Sequence, residues 1–160
     1  MKEKTERATF GAGCFWGVEE TFRILPGVLE TSVGFMGGEV LNPSYEQVCN
    51  AQTGHAEVVH LIYDSSRISY EGLLNVFFEN HNPTQVNRQG PDIGDQYRSV
   101  IFFHSSVQEK TARKVKGALE KSQRFKKPIA TQIVPATEFF PVEEHHQKYL
   151  MKRGRGSCHI

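Results

Sequence analysis

Cysteine is scarce in this chain. Three occur in 160 residues, Cys14, Cys49 and Cys158, far apart and odd in number. A secreted disulfide framework needs pairs, and a Cys-x-x-Cys metal site needs close spacing, so neither fits; no metal is expected, and reduced thiols are. Long apolar runs are also missing. No segment approaches the roughly 18 residues of a membrane span, and MKEKTERATF (1–10) lacks the apolar core of a signal peptide, so a soluble, cytoplasmic protein without a membrane partner is expected. Neither sign of charge dominates: 19 Lys and Arg face 18 Asp and Glu, interspersed, for a net charge of +1. The sustained positive field that draws nucleic acid is therefore absent. There is no internal repeat, low-complexity tract or linker. A length near the roughly 150 residues of one domain, with 38% hydrophobic residues, predicts a single domain over residues 1–160 with a flexible tail, 152–160.

Periodicity gives the elements. Residues 8–10 read as a short strand, followed by a helix with Phe15, Val18, Phe22 and Leu25 near period 3.6, stopped by Pro26-Gly27. Strands are predicted over 28–35 and 55–63, the latter with Glu57, Val59, Leu61 and Tyr63 on one face. That pattern sets a carboxylate among apolar neighbours. Tyr70, Leu73, Leu74, Phe77 and Phe78 mark a core-facing helix ended by Asn82-Pro83. A long loop to about Gln96 follows, then a strand over 98–104 that is apolar on both faces, as in the centre of a sheet. Val107, Thr111, Val115 and Leu119 predict a long amphipathic helix, before a strand at 132–134 and a short helix over 142–150. Strands separated by helices of this length imply an α+β sandwich with a mixed sheet flanked by helices, in two layers.

The stretch GAGCFWGVEETF (11–22) puts Cys14 at a helix start between glycines and two aromatics. Unpaired N–H groups and the helix dipole favour a thiolate there, the nucleophilic form. Position alone leaves a small buried core cysteine equally open. Phe15 and Trp16 could line a pocket for an apolar group or belong to the core. Seven histidines keep a Cys-His hydrolase in view, but their spacing selects no base and gives no metal-ligand geometry. A ligand-binding module with a buried Cys14 also remains open.

Four blocks narrow the choice. GAGCFWG (11–17), YEQVCNAQTGHAEVV (45–59), DIGDQYRS (92–99) and EEHHQKYL (143–150) resemble, in order, the signature blocks of the A-type peptide methionine sulfoxide reductases. Pro91, Phe35-Met36 and His145 depart from the residues usual there. The resemblance implies a ferredoxin-like form of the sandwich and reduction of methionine S-sulfoxide, free or in proteins. It implies that Cys14 attacks sulfur and that Glu57 delivers a proton to the departing oxygen, a role its apolar setting suits by favouring the protonated form. Tyr45 and Tyr97 would bond the sulfoxide oxygen, Asp92 would orient the substrate or site, and Phe15 and Trp16 would hold the S-methyl group. Cys158 would resolve the Cys14 sulfenic acid as a disulfide passed to thioredoxin, with Cys49 structural and no cofactor required.

Overall fold

The computed structural model describes residues 4–50 and 53–142, the side chains of 49 and 50 apart. The chain runs β1 (Thr5–Ala12), α1 (Phe15–Arg23), β2 (Val28–Met36), α2 (Tyr45–Asn50), β3 (Ala56–Asp64), α3 (Tyr70–Glu79), β4 (Arg88–Gln89), β5 (Asp92–Ile93), a 3-10 helix (Asp95–Tyr97), β6 (Ser99–Phe103), α4 (Ser106–Lys121), β7 (Gln132–Pro135) and β8 (Phe140–Pro141). Six strands form one sheet in the order β7-β6-β1-β3-β2-β8, while β4 and β5 pair as a separate hairpin. Among the described strands only β6 and β7 run parallel, so the sheet is mixed. The architecture is α+β, helices against a mixed sheet.

Alternation along the strands divides the core between two faces. Val59, Leu61 and Tyr63 of β3 join Phe10, Phe22 and Phe77 in the larger cluster, beneath the helices. Phe10 lies 5.2 Å, ring centre to ring centre, from both Phe22 and Phe77, which fastens α1 and α3 onto β1. Ala56 and Val58 instead turn to a smaller cluster with Met36, Val100 and Phe102, covered by Val134, Ala136 and Phe139. The predicted face of β3 is thus observed, and it sends Glu57 toward α1.

Several elements differ from the sequence reading. In α4 the buried residues are Gln108, Ala112 and Val115, while Val107 is 70% exposed. The cause is polar: Gln108 donates to the Arg7 carbonyl at 2.7 Å and accepts from the His104 N–H at 2.8 Å, so an amide takes the inward slot. On α1 the buried set is Phe15, Glu19 and Phe22, with the Glu19 carboxylate accepting the Thr31 hydroxyl at 2.9 Å. The loop before β6 contains the β4–β5 hairpin and the 3-10 helix. Strand β8 was not foreseen, and the helix expected over 142–150 lies, beyond Val142, outside the described residues. Among those residues no helix is long and apolar enough to cross a membrane.

His81 ties α3 to the sheet. Its Nδ1 meets the Phe77 carbonyl at 2.6 Å and its Nε2 the Ser99 hydroxyl at 2.7 Å. Burial pushes its pKa down to about 4, against the opposing pull of the Phe77 carbonyl. The unfolded chain, with histidine near 6.5, therefore takes up this proton first as pH falls. The stability His81 confers is complete above about pH 6.5 and is lost progressively toward pH 4. Between pH 7 and about 4.5 the wild type should lose roughly 2–3 kcal/mol more than His81→Gln does. Urea unfolding at the two pH values measures this, and equal losses would contradict it.

Candidate active site

Strand β1 delivers the chain to Cys14 through two glycines that a side chain could not replace. A Cβ at Gly11 would sit 2.8 Å from Val100 Cγ1 and 3.2 Å from the Glu57 carbonyl oxygen. Gly13 has φ +99°, and a Cβ there would lie 2.9 Å from Gln89. Cys14 follows as the N-cap of α1, its carbonyl accepting the Val18 N–H at 3.3 Å and its side chain making no capping bond. The thiol is partly exposed. It therefore stands where helix N–H groups and dipole favour a thiolate.

The next N–H in the helix finds a carboxyl group: Phe15 donates to Glu57 Oε1 at 3.2 Å. Glu57 is 1% exposed, on the β3 face that packs beneath α1, opposite Phe35 of β2. The Glu57 carboxyl and the Cys14 thiol thus belong to the same helix start.

An aromatic wall completes this side. Tyr45, the first residue of α2, stacks on Trp16 at 5.6 Å and on Phe15 at 5.9 Å, and Phe15 also meets Phe35 at 5.7 Å. Phe15 is fully buried, while Trp16 and Tyr45 are half-buried. Tyr97 ends the 3-10 helix, which packs against β3 and β4. Asp92 lies across the hairpin from Gln89, the residue that abuts Gly13. Cys14, Glu57, Phe15, Trp16 and Tyr45 are thus joined through the chain, one hydrogen bond and ring contacts, while Asp92 and Tyr97 are placed by elements that pair with β4 or pack on β3 and β4. Cys158 and the Cys49 side chain lie outside the described residues.

Three supporting residues escaped the sequence reading. Gln89 is pinned at both ends of its amide, accepting from the Asn82 N–H at 2.8 Å and donating to the Asn82 carbonyl at 2.9 Å, and so holds the hairpin against Gly13. Arg98 donates to the Asp95 carbonyl at 2.9 Å and to Gln132 at 3.2 Å, tying the turn that carries Tyr97 to β7. His55, 1% exposed, accepts the Gly38 N–H at 3.0 Å through Nδ1 and donates to the Val40 carbonyl at 2.7 Å through Nε2, bracing the segment that leads to Tyr45. Arg98 and His55 fall inside the quoted blocks; only the fold reveals what they hold. His60 and His104 share the Thr9 hydroxyl at 2.8 and 2.9 Å. With His81, all four described histidines make bonds that hold the fold. Among the described residues no three His, Cys, Asp or Glu side chains are gathered to hold a metal ion.

The model of the family "Peptide methionine sulfoxide reductase" matches residues 6–160. The peptide methionine sulfoxide reductase MsrA of Methanoculleus marisnigri is 58% identical over 98% of this chain and 96% of its own length. The reduced form of Mxr1 from Saccharomyces cerevisiae superposes with a TM-score of 0.90 at 36% identity, over 97% of this chain and 89% of Mxr1. Mxr1 in complex with Trx2 superposes with a TM-score of 0.64 at 25% identity, over 93% and 89%. With its cysteine at a helix start and its match over nearly the full length, the chain belongs to the peptide methionine sulfoxide reductase family.

Proposed function

We propose that the chain repairs oxidised proteins by reducing methionine S-sulfoxide to methionine, with Cys14 as nucleophile and Glu57 as acid. The carrying observation is the bond from the Phe15 N–H to Glu57 Oε1, which sets a buried carboxyl beside the thiol at one helix start. The Cys14 thiolate attacks the sulfoxide sulfur. Oxide is a poor leaving group, so the oxygen must be protonated as its bond to sulfur breaks. Glu57, 1% exposed and held at the start of α1, is placed to supply that proton. The phenols of Tyr45 and Tyr97 hold the oxygen, Asp92 orients the substrate, and Phe15 and Trp16 hold the S-methyl group. Thiolate, sulfoxide and proton yield methionine and a Cys14 sulfenic acid.

The Cys158 thiol then condenses with the sulfenic acid, releasing water and forming a disulfide. A thioredoxin dithiol reduces it, taking the disulfide itself; the solved complex of Mxr1 with Trx2 supports this donor. No dissociable cofactor enters the scheme. A thiol that must be regenerated every turnover suits the reducing cytoplasm. A single domain over 1–160 is supported by the span of the family match. The succession β1-α1-β2-β3-α3-β6 with strand order β6-β1-β3-β2 supports a two-layer ferredoxin-like sandwich.

The test uses resolved S- and R-epimers of methionine sulfoxide with dithiothreitol, measuring methionine. Exchanging epimers exchanges the polar and apolar groups about sulfur. Each buried polar group left unpaired costs roughly 1–3 kcal/mol, so only the S-epimer should be reduced. Comparable turnover of the R-epimer would defeat the pocket roles, and no reduction of either would defeat the reading.

A further inference from the structure

Away from Cys14, four cations gather along one cleft. Arg88, Arg124, Lys126 and Lys127 line a space of about 950 Å³ between the segment after α3 and the loop after α4. All four are exposed. Glu79 is the one carboxylate among the described lining residues, and none of the four cations forms an ion pair among the described residues. The imbalance is local, because the whole chain carries a net charge of only +1. Arg124 lies over the Phe125 ring, 5.5 Å from its centre, a contact that orients its guanidinium at the cleft.

The cleft adjoins the catalytic face through the β4 strand. Arg88 and Gln89 are successive strand residues and point to opposite sides. One lines the cleft, and the other packs on Gly13 beside Cys14. A polypeptide extended across a strand-width hairpin advances about 3.3 Å per residue. Neighbours of a methionine sulfoxide held at Cys14 that run over this hairpin are carried from the Gln89 side toward Arg88 and the cleft.

We propose that this cleft binds acidic side chains flanking the oxidised methionine of a protein substrate, so that the enzyme prefers acidic over neutral or basic sequences. The inference rests on the reductase reading above and adds to it a substrate preference. Carboxylates matched to unpaired exposed cations gain modest, salt-sensitive attraction.

The test compares peptides with one methionine S-sulfoxide flanked by Glu, Ser or Lys two to four residues away, with dithiothreitol as reductant. At about 0.05 M salt the acidic peptide should show a KM about three- to ten-fold below the neutral one, at equal kcat, and the gap should close near 0.5 M. In the triple variant Arg124→Glu, Lys126→Glu, Lys127→Glu the order should reverse, with turnover of free methionine sulfoxide unchanged. Equal KM values in the wild type, or a preference that survives salt and charge reversal, would overturn the proposal. So would a triple variant impaired only in thioredoxin-driven cycling, which would make the cleft a docking surface for the reductant. Reduction of free methionine sulfoxide separates the two ideas: its absence refutes the reductase reading, while its presence without peptide discrimination refutes the cleft alone.

Discussion

Cys14→Ser is expected to abolish reduction of methionine sulfoxide outright, whatever the reductant. A serine hydroxyl at the N-cap of α1 sees the same dipole, but its pKa is far too high for the helix start to supply a useful nucleophile toward sulfur. The fold should not suffer, since serine is a favoured N-cap residue. Cys158→Ser should behave differently. The first turnover needs only Cys14, so close to one methionine per enzyme should form before thioredoxin-driven cycling stalls at the sulfenic acid. Dithiothreitol can attack that species directly, so activity with it should partly survive. Cys49→Ser should do neither. The measurement is methionine formed per enzyme without added reductant, with mass spectrometry of the oxidised protein. A link from Cys14 to Cys49, or normal thioredoxin cycling in Cys158→Ser, would remove Cys158 from its role.

How far the sequence could be read depends on whether apolar side chains or polar bonds decide a position. Along β3 the alternation of Glu57, Val59, Leu61 and Tyr63 specifies a buried face, and the structure follows it. Along α4 the same logic chose Val107, and a hydrogen-bonded Gln108 overrode it. The two-residue strands β4, β5 and β8 are too short for any periodicity to register. Their pairing depends on partners distant in sequence, such as Gly34 and Phe35 of β2 for β8.

The site divides in the same way. Cys14, Phe15 and Trp16 share one short stretch whose glycines and helix start are visible in the sequence. Glu57 is 42 residues away, and only the sheet brings its carboxyl to the Phe15 N–H. Residues that position others leave still less trace. Gln89 acts through its Cβ against Gly13 and its amide on Asn82, and neither contact has a compositional signature. His55 likewise could have served as a base or a ligand until both ring nitrogens were found on backbone groups.

Glu57→Gln should slow reduction by roughly 10²- to 10⁴-fold, the usual range for general acid–base catalysis. The substitution isolates the proton, because the glutamine carbonyl oxygen can still accept the Phe15 N–H now received by Glu57 Oε1, leaving the start of α1 in place. Substrate binding should change far less than turnover. Alkylation of Cys14 supplies the control that a merely structural role would fail. It needs the thiolate at the N-cap but no proton delivered to a leaving oxygen, so its rate should stay within a few-fold of wild type while single-turnover reduction collapses. Near-wild-type reduction in Glu57→Gln would mean that the proton comes from elsewhere, with Tyr45 and Tyr97 next to be tested. Equal falls in reduction and alkylation would mean that Glu57 acts by setting the helix start around Cys14 rather than as the acid.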